Sequence, residues 1–227
     1  MKSLLLAALL VPPVAVAGGV ASPSGAPGQE TLNPALWQAA GRGEVDRVRD
    51  LLRRGASPNA QDRDGRTALT GAALGDHVAV ARLLIAAGAN PDPQDTAHNN
   101  ALLVTGETGS VAMLREVLRA KPDLTRTNRF GGTALIPAAD RGHVEYVREL
   151  LKTDIDVDHV NNLGWTALLE GVMLGDGGAR HTEIVRLLLA AGADPNLADR
   201  DGGTPLEHAE RRGYTRMAGL LKAAGGH

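Results

Sequence analysis

The chain has 227 residues, with 24 Lys and Arg against 26 Asp and Glu, which gives a formal charge of −2. This balance excludes a protein that holds nucleic acid through a strongly basic face, and the absence of cysteine excludes disulfides, cysteine-ligated zinc, iron–sulfur clusters and thiol nucleophiles. Only 2% of the residues are aromatic, which disfavours a large mixed sheet and indicates small, closely packed helices.

The start of the chain has the features of an export signal. Lys2 precedes an almost unbroken apolar run over residues 4–16, and Ala15-Val16-Ala17 is a small-residue site that predicts cleavage before Gly18. A membrane anchor is the alternative, but Pro12-Pro13 interrupts the run, which is shorter than the roughly 20 residues of a spanning helix. We therefore expect a signal peptide at residues 1–17, a flexible leader rich in Gly, Pro and Ser at 18–32, and the folded domain at 33–227.

The rest of the chain repeats itself. Six triplets that end in Leu, most often Thr-Ala-Leu, are spaced 33, 33, 33, 33 and 38 residues apart and begin at Pro34, Thr67, Asn100, Thr133, Thr166 and Thr204. A second marker, usually Gly, keeps step with them at Gly55, Gly88, Lys121, Asp154, Gly192 and Gly225. Such a period indicates stacked units, each of which buries its apolar faces against its neighbours.

Residues 131–158 illustrate how one unit is expected to fold. Thr133 follows a Gly turn and is predicted to cap a first helix, in which small and apolar residues share one face. Gly142 ends that helix because it tolerates positive φ. Apolar residues between Val144 and Leu151 then recur at helical spacing and predict a second helix. Each unit is therefore predicted to be a helix-turn-helix.

The pattern G-x-T-A/P-L-x-x-A-A-x-x-G-H-x-x-x-V-x-x-L-L-x-x-G-A-x-x-N resembles that of ankyrin repeats. It is clearest at Gly65–Asn90, Gly131–Asp158 and Gly164–Asn196, with weaker copies elsewhere. The resemblance implies an all-α ankyrin repeat solenoid of six stacked helix-turn-helix units, with projecting β-hairpin turns. The expected units are 33–63, 64–96, 97–129, 130–162, 163–200 and 201–227, and the two end units are expected to be polar caps.

Two units depart from the pattern. In the third, Asn100 replaces the usual Thr, Ser110 the usual His and Lys121-Pro122 the usual Gly-Ala, so we expect this unit to be the least stable. In the fifth, five extra residues lengthen the turn between the helices, residues 174–181. Gly177-Gly178 predicts that this segment is a mobile or tightly turned finger, and a tolerated surface insertion is the alternative.

No catalytic or metal site meets its chemical requirements. Three histidines occupy the Gly-His position of the repeat, where the resemblance implies that the imidazole ties neighbouring turns together: His77, His143 and His181. Three alternating carboxylates imitate the start of a calcium loop: Asp154, Asp156 and Asp158. His159 and Trp165, however, stand where that loop needs Gly and a bidentate Glu. Ser57 and Ser110 lack His–Asp partners. We therefore expect no enzyme, no cofactor and no metal.

A protein-binding surface is the remaining interpretation. In the implied architecture, hairpin tips and first helices line a concave groove. Phe130 and Trp165 are expected on adjacent tips, and aromatic and Arg side chains are common interface anchors. The alternative is that each ring covers a neighbouring hairpin. With the inserted finger beside them, the predicted partner-binding residues are Arg66, Phe130, Asp140, Arg141, Trp165, Asp176 and Arg180.

The stretch from Phe130 through His181 also resembles, more loosely, a subgroup of exported bacterial ankyrin proteins. This resemblance implies a scaffold, inhibitor or protector of a partner protein, and one such role is support of a periplasmic catalase. We expect a non-catalytic monomer that is periplasmic or secreted after cleavage, without stable membrane insertion, and that binds another protein and no nucleic acid. The alternative is a secreted effector that mimics a eukaryotic ankyrin protein.

Overall fold

The computed structural model of the chain describes residues 28–227, which contain twelve α-helices. The predicted signal peptide and residues 18–27 of the predicted leader lie outside the described residues. The helices are α1 Gln29–Gly41, α2 Val45–Arg53, α3 Ala68–Leu74, α4 Val78–Ala86, α5 Ala101–Thr108, α6 Val111–Arg119, α7 Leu135–Asp140, α8 Val144–Leu150, α9 Ala167–Met173, α10 Ala179–Ala190, α11 Pro205–Arg211 and α12 Thr215–Ala223. Because α1 begins at Gln29, residues 29–32 of the predicted leader are helical.

The helices form two layers that run along the stack. Each odd-numbered helix packs against the next odd-numbered helix, from α1 to α11, and each even-numbered helix packs against the next, from α2 to α12. We call these the first-helix layer and the second-helix layer. One continuous core of buried Ala, Leu, Val and Ile side chains joins them from Leu36 to Leu221. The predicted all-α solenoid of six stacked units is confirmed.

Five hairpin-like turns precede α3, α5, α7, α9 and α11. Each begins with Asp or Asn, whose backbone N–H donates to the carbonyl oxygen four residues later. The Oδ1 atom of the same residue accepts hydrogen bonds from the N–H groups two and four residues later. The residues that begin the turns are Asp62, Asp95, Asn128, Asn161 and Asp199. One side chain therefore closes each turn, and the predicted projecting hairpin turns are confirmed.

Three of the first helices begin at a threonine side-chain cap, and α7 does not. Thr67, Thr166 and Thr204 each accept a hydrogen bond from the N–H group three residues later, as the pattern predicts. The predicted cap at Thr133 is wrong. There the Ile136 N–H donates to the backbone carbonyl of Thr133, α7 begins only at Leu135, and Thr133 Oγ1 is buried without a hydrogen-bond partner.

The residues that replace the repeat consensus in the third unit perform the same local tasks. Asn100 Oδ1 accepts from the Leu103 N–H at 2.8 Å and caps α5. Ser110 Oγ accepts from the Met113 N–H at 3.2 Å and caps α6. Lys121 adopts a φ of 53°, in the left-handed region that Gly occupies at this position in the first, second, fifth and sixth units. The lower stability of this unit remains a prediction.

Candidate functional site

Phe130 lies at the tip of the fourth-unit hairpin, with its side chain exposed. The residue is 46% exposed, and the Arg129 guanidinium lies 4.8 Å from the centre of its ring. The neighbouring tip carries Leu163, which is 43% exposed. The two tips are joined because the Asn162 N–H donates to the Phe130 carbonyl at 2.9 Å. Two large apolar side chains therefore project side by side.

The prediction that Trp165 lies on a hairpin tip is wrong. Its N–H donates to Asn161 Oδ1 at 3.0 Å, and its carbonyl accepts from the Asn161 N–H at 3.0 Å, so it stands at the base of the hairpin. The side chain is half-buried. The position 33 residues after the Phe130 tip is occupied by Leu163, and the aromatic residue comes two positions later.

Trp165 instead lines an open groove between the fifth and sixth units, with a volume of about 740 Å³. We call it the fifth–sixth groove. Leu163, Trp165 and Met173 supply its apolar side. The remaining lining residues belong to the hairpin turn that precedes α11 and to α11 itself, and are Asp199, Arg200, Asp201, Gly203, His208 and Arg211.

The histidine of each Gly-His position joins adjacent units. His77 Nε2 lies 3.1 Å from the Gly41 carbonyl oxygen, and His143 Nε2 lies 3.2 Å from that of Glu107. His181 Nε2 lies 2.9 Å from the carbonyl oxygen of Asp140. The predicted structural role of these three histidines is confirmed.

The inserted segment of the fifth unit forms a tight turn, with Gly177 at a φ of 71°, followed by an added turn of helix. Gly178 is the N-cap of α10, and the helix has gained a turn that contains Arg180 and His181. Tyr214 Oη donates to the Gly175 carbonyl at 3.0 Å, and a Cβ atom on Gly177 would lie 2.4 Å from the Tyr214 ring. The insertion therefore lengthens a helix and packs against the sixth unit, because its glycines allow the Tyr214 ring to approach.

Four predicted site residues surround His181 at the turns between the helices of units four and five. Asp176 Oδ1 accepts from the Gly178 N–H and lies 3.1 Å from His181 Nδ1. Arg180 and Asp176 are exposed, and Arg141 pairs with Glu107 of the third unit. Asp140 is half-buried, and burial raises the pKa of its carboxyl despite the nearby Arg141 and His181.

The predicted partner-binding residues therefore lie in different parts of the structure. Phe130 belongs to the hairpin tips and Trp165 to the fifth–sixth groove, whereas Asp140, Arg141, Asp176 and Arg180 belong to the helix-to-helix turns. Arg66 lies in the second unit, where its guanidinium pairs with Asp62 and Asp64 of its own hairpin. Leu163 and Met173 do not belong to the predicted set, although a step of 33 residues from Phe130 leads to Leu163.

A buried carboxyl group lies on α9, the helix that also carries the groove residue Met173. Glu170 of α9 is 5% exposed, and Asn161 Nδ2 donates to its Oε1 at 2.8 Å. Burial and the negative charge of Asp140 raise the pKa of Glu170 to about 7. The hairpin turn that precedes α11 has the equivalent contact between His208 Nε2 and Asp199 Oδ2, at 2.7 Å. Both pairs join a hairpin base to the helix that follows, which is a structural task.

The part of the chain from residue 28 onward shows neither a metal-binding cluster nor a membrane-spanning helix. Within it, no three His, Asp or Glu side chains converge in an arrangement that could hold a metal ion. None of its helices has both the length and the apolar character required to cross a membrane.

Comparisons with known proteins agree with this architecture. The family model described as ankyrin repeats (3 copies) matches residues 36–128 and 102–199. The chain belongs to the ankyrin repeat family, whose members are typically non-catalytic protein-binding modules.

Individual relatives support the same assignment. The putative ankyrin repeat protein YahD of Escherichia coli strain K12 is 53% identical over 57 residues, which cover 25% of this chain and 28% of YahD. An ankyrin repeat domain from Acinetobacter baumannii AYE is 46% identical, with a TM-score of 0.82 over 85% of this chain and 98% of that domain. The ankyrin repeat domain of Bcl-3, a member of the IkappaB protein family, is 28% identical, with a TM-score of 0.76 over 85% and 86% of the two chains.

Proposed function

We propose that the protein is a non-catalytic binding module that recognises a partner protein through its hairpin tips and the fifth–sixth groove. The observation that carries this proposal is the pair of exposed apolar side chains, Phe130 and Leu163, on adjacent tips. Neither is covered by the stack, and exposed apolar clusters commonly mark interaction sites. Trp165 provides a rigid, half-buried surface next to them, of the kind that anchors interfaces.

The proposed partner is a protein of the bacterial cell envelope. This part rests on the predicted export signal at residues 1–17 and on the resemblance to exported ankyrin proteins. In that compartment the module would act as a scaffold, inhibitor or protector, and a periplasmic enzyme such as a catalase is one candidate partner. Detection of the cleaved protein only in the culture medium would favour the secreted effector instead.

The test is capture of the partner by two matched variants of the mature chain. Replacing both tip side chains, Phe130→Ala with Leu163→Ala, should weaken binding by about 30-fold or more, because hot-spot side chains contribute about 2 kcal/mol or more. The control replaces two other exposed apolar residues, Leu74→Ala with Val160→Ala. Equal binding of the partner by both double variants would contradict the proposed site.

A further inference from the structure

We propose that the fifth–sixth groove binds an extended, acidic segment of the partner that carries at least one large apolar side chain. This inference rests on the proposed protein-binding function and adds the chemistry of the ligand. It follows from the charges around the groove, from the residues that line it and from the contrast with the second-helix layer.

Three arginines of the second-helix layer already have carboxylate partners in the next unit. Arg82 Nη2 lies 2.7 Å from Glu116 Oε1, and Arg115 Nε lies 3.0 Å from Glu149 Oε1. Arg148 continues the series with Glu183. Each of these pairs joins one unit to the next, so these positive charges are neutralised within the protein.

Arginines around the groove have no such partners. Among the described residues, four that are exposed near the groove make no ion pair with a carboxylate: Arg129, Arg200, Arg211 and Arg212. Arg200 instead donates to the Asn162 carbonyl, and the Arg212 guanidinium lies 3.9 Å from Met173 Sδ. Their charges therefore remain available to an incoming anion.

The acidic residues of the groove offset only part of this charge. Asp199 Oδ1 accepts from the Asp201 and Gly203 N–H groups, and Oδ2 faces His208 Nε2. The Asp199 side chain is only 7% exposed, so it is occupied within its own hairpin. Asp201 is the single exposed acid among the lining residues, against Arg200 and Arg211. In formal charge Asp199 and Asp201 offset Arg200 and Arg211. Arg212, which contacts Met173, and Arg129 on the neighbouring tip supply the positive excess that favours a negative ligand.

The apolar side of the groove accounts for the second property of the ligand, its large apolar side chain. Trp165, Met173 and Leu163 form an apolar surface that can cover an apolar side chain of a ligand. Phe130 extends this surface onto the neighbouring tip. A peptide with alternating acidic and apolar side chains would present carboxylates to the arginines and an apolar anchor to Trp165. The groove crosses a unit boundary and is open to solvent, which suits an extended segment.

The experiment pans a phage library of random 12-residue peptides against the purified chain, in parallel with two charge variants. The groove variant is Arg211→Glu with Arg212→Glu. The control is Arg53→Glu with Arg216→Glu, two exposed residues of the second-helix layer that also make no ion pair among the described residues. We expect the unchanged chain and the control to enrich acidic peptides that contain Leu, Phe or Trp, and the groove variant to enrich basic ones.

Binding of one enriched peptide is then titrated. The groove variant should weaken its affinity by about tenfold or more, and the control by less than about twofold. Enrichment of neutral or basic peptides, no enrichment at all, or equal loss in both variants would overturn the inference. A single-stranded dT oligonucleotide that displaces the peptide and binds more tightly would also overturn it. If the library fails while Phe130→Ala with Leu163→Ala still loses the cellular partner, the acidic ligand is wrong and the protein-binding function stands.

Discussion

Carboxyl groups in the two helix layers experience opposite environments. In the second-helix layer, Arg82 lowers the pKa of Glu116, and arginine partners lower the pKa values of Glu149 and Glu183 to about 2. In the first-helix layer, burial raises the pKa of Asp140, and burial with the nearby charge of Asp140 raises that of Glu170 to about 7. The second-helix layer is therefore joined between units by several ion pairs, whereas the first-helix layer is packed closely and its two buried carboxyl groups are destabilised in their charged form.

The Glu170→Gln substitution tests this contrast and should give the largest change in the free energy of unfolding. The pKa of Glu170 lies above its ordinary value of 4.5, so the folded state binds the proton more tightly than the unfolded state. Its contribution to stability is complete below pH 4.5 and is lost as the pH rises to about 7. The free energy of unfolding of the variant should equal that of the unchanged chain at pH 4.5 and exceed it by about 3 kcal/mol at pH 8.

Urea denaturation at a series of pH values measures this difference, with exposed Glu145→Gln as the control. The Glu170→Gln change keeps the local hydrogen bond, since Asn161 Nδ2 can still donate to the carbonyl oxygen of the new amide. A pH-independent difference between the variant and the unchanged chain would show that Glu170 is ionised in the fold and would remove the contrast between the layers.

A second test concerns the close packing of the first-helix layer. A Cβ atom on Gly106 of α5 would lie 2.3 Å from the carbonyl oxygen of Ala134, at the start of the next unit. Gly106→Ala should therefore destabilise the protein by about 2 kcal/mol, since overpacking costs about 3 kcal/mol and the helix propensity of Ala returns about 1. Gly219→Ala on α12, where a Cβ atom meets nothing within 4 Å, is the matched control.

The difference between the Gly106→Ala and Gly219→Ala variants should be the same in 0.1 M and 1 M NaCl, because it is steric. Thermal or urea unfolding of both variants measures it. If Gly106→Ala were as stable as Gly219→Ala, the contact between α5 and α7 would be looser than described.

The smallest expected effect is that of Glu116→Gln in the second-helix layer. Glu116 is 5% exposed and accepts from Arg82 and Arg119. Because its pKa is lowered, its ionised form stabilises the fold above the ordinary pKa, and that contribution is lost as the pH falls. We expect a loss of about 1 kcal/mol at pH 7, which becomes smaller in 1 M NaCl and at pH 3. A loss that grew on acidification would contradict the assignment.

Much of the fold could be predicted because the repeat pattern fixes the positions of the helices and of the turns between them. Triplets at fixed spacing locate the first helices, and the Gly-His position locates the turns between helices. The hairpin anchors follow the same period, although their role was not predicted from the sequence: Asp62, Asp95, Asn128, Asn161 and Asp199. The prediction of a cap at Thr133 is wrong because the fourth unit starts with a tighter turn, which a consensus pattern does not reveal.

The candidate site was harder to predict, since it depends on how units pack. An insertion with two glycines suggested a loop, but the extra residues lengthened α10 and were fixed by Tyr214 from the next unit. Trp165 was placed on a tip because it lies near a turn, although the register of the hairpin puts Leu163 there. Whether an arginine is paired depends on a neighbour about 34 residues away, as for Arg82 and Glu116.

The anchor of each hairpin has a consequence for how such a protein can change its target. Within the turn, the Oδ1 atom of the anchoring Asp or Asn accepts only from backbone N–H groups, so the side chain at the tip is not required for closure. The third residue of the five turns is Asp64, Ala97, Phe130, Leu163 and Asp201, and the same hydrogen bonds form in all five. Mutations at these positions can accumulate without loss of folding, so specificity can evolve one tip at a time.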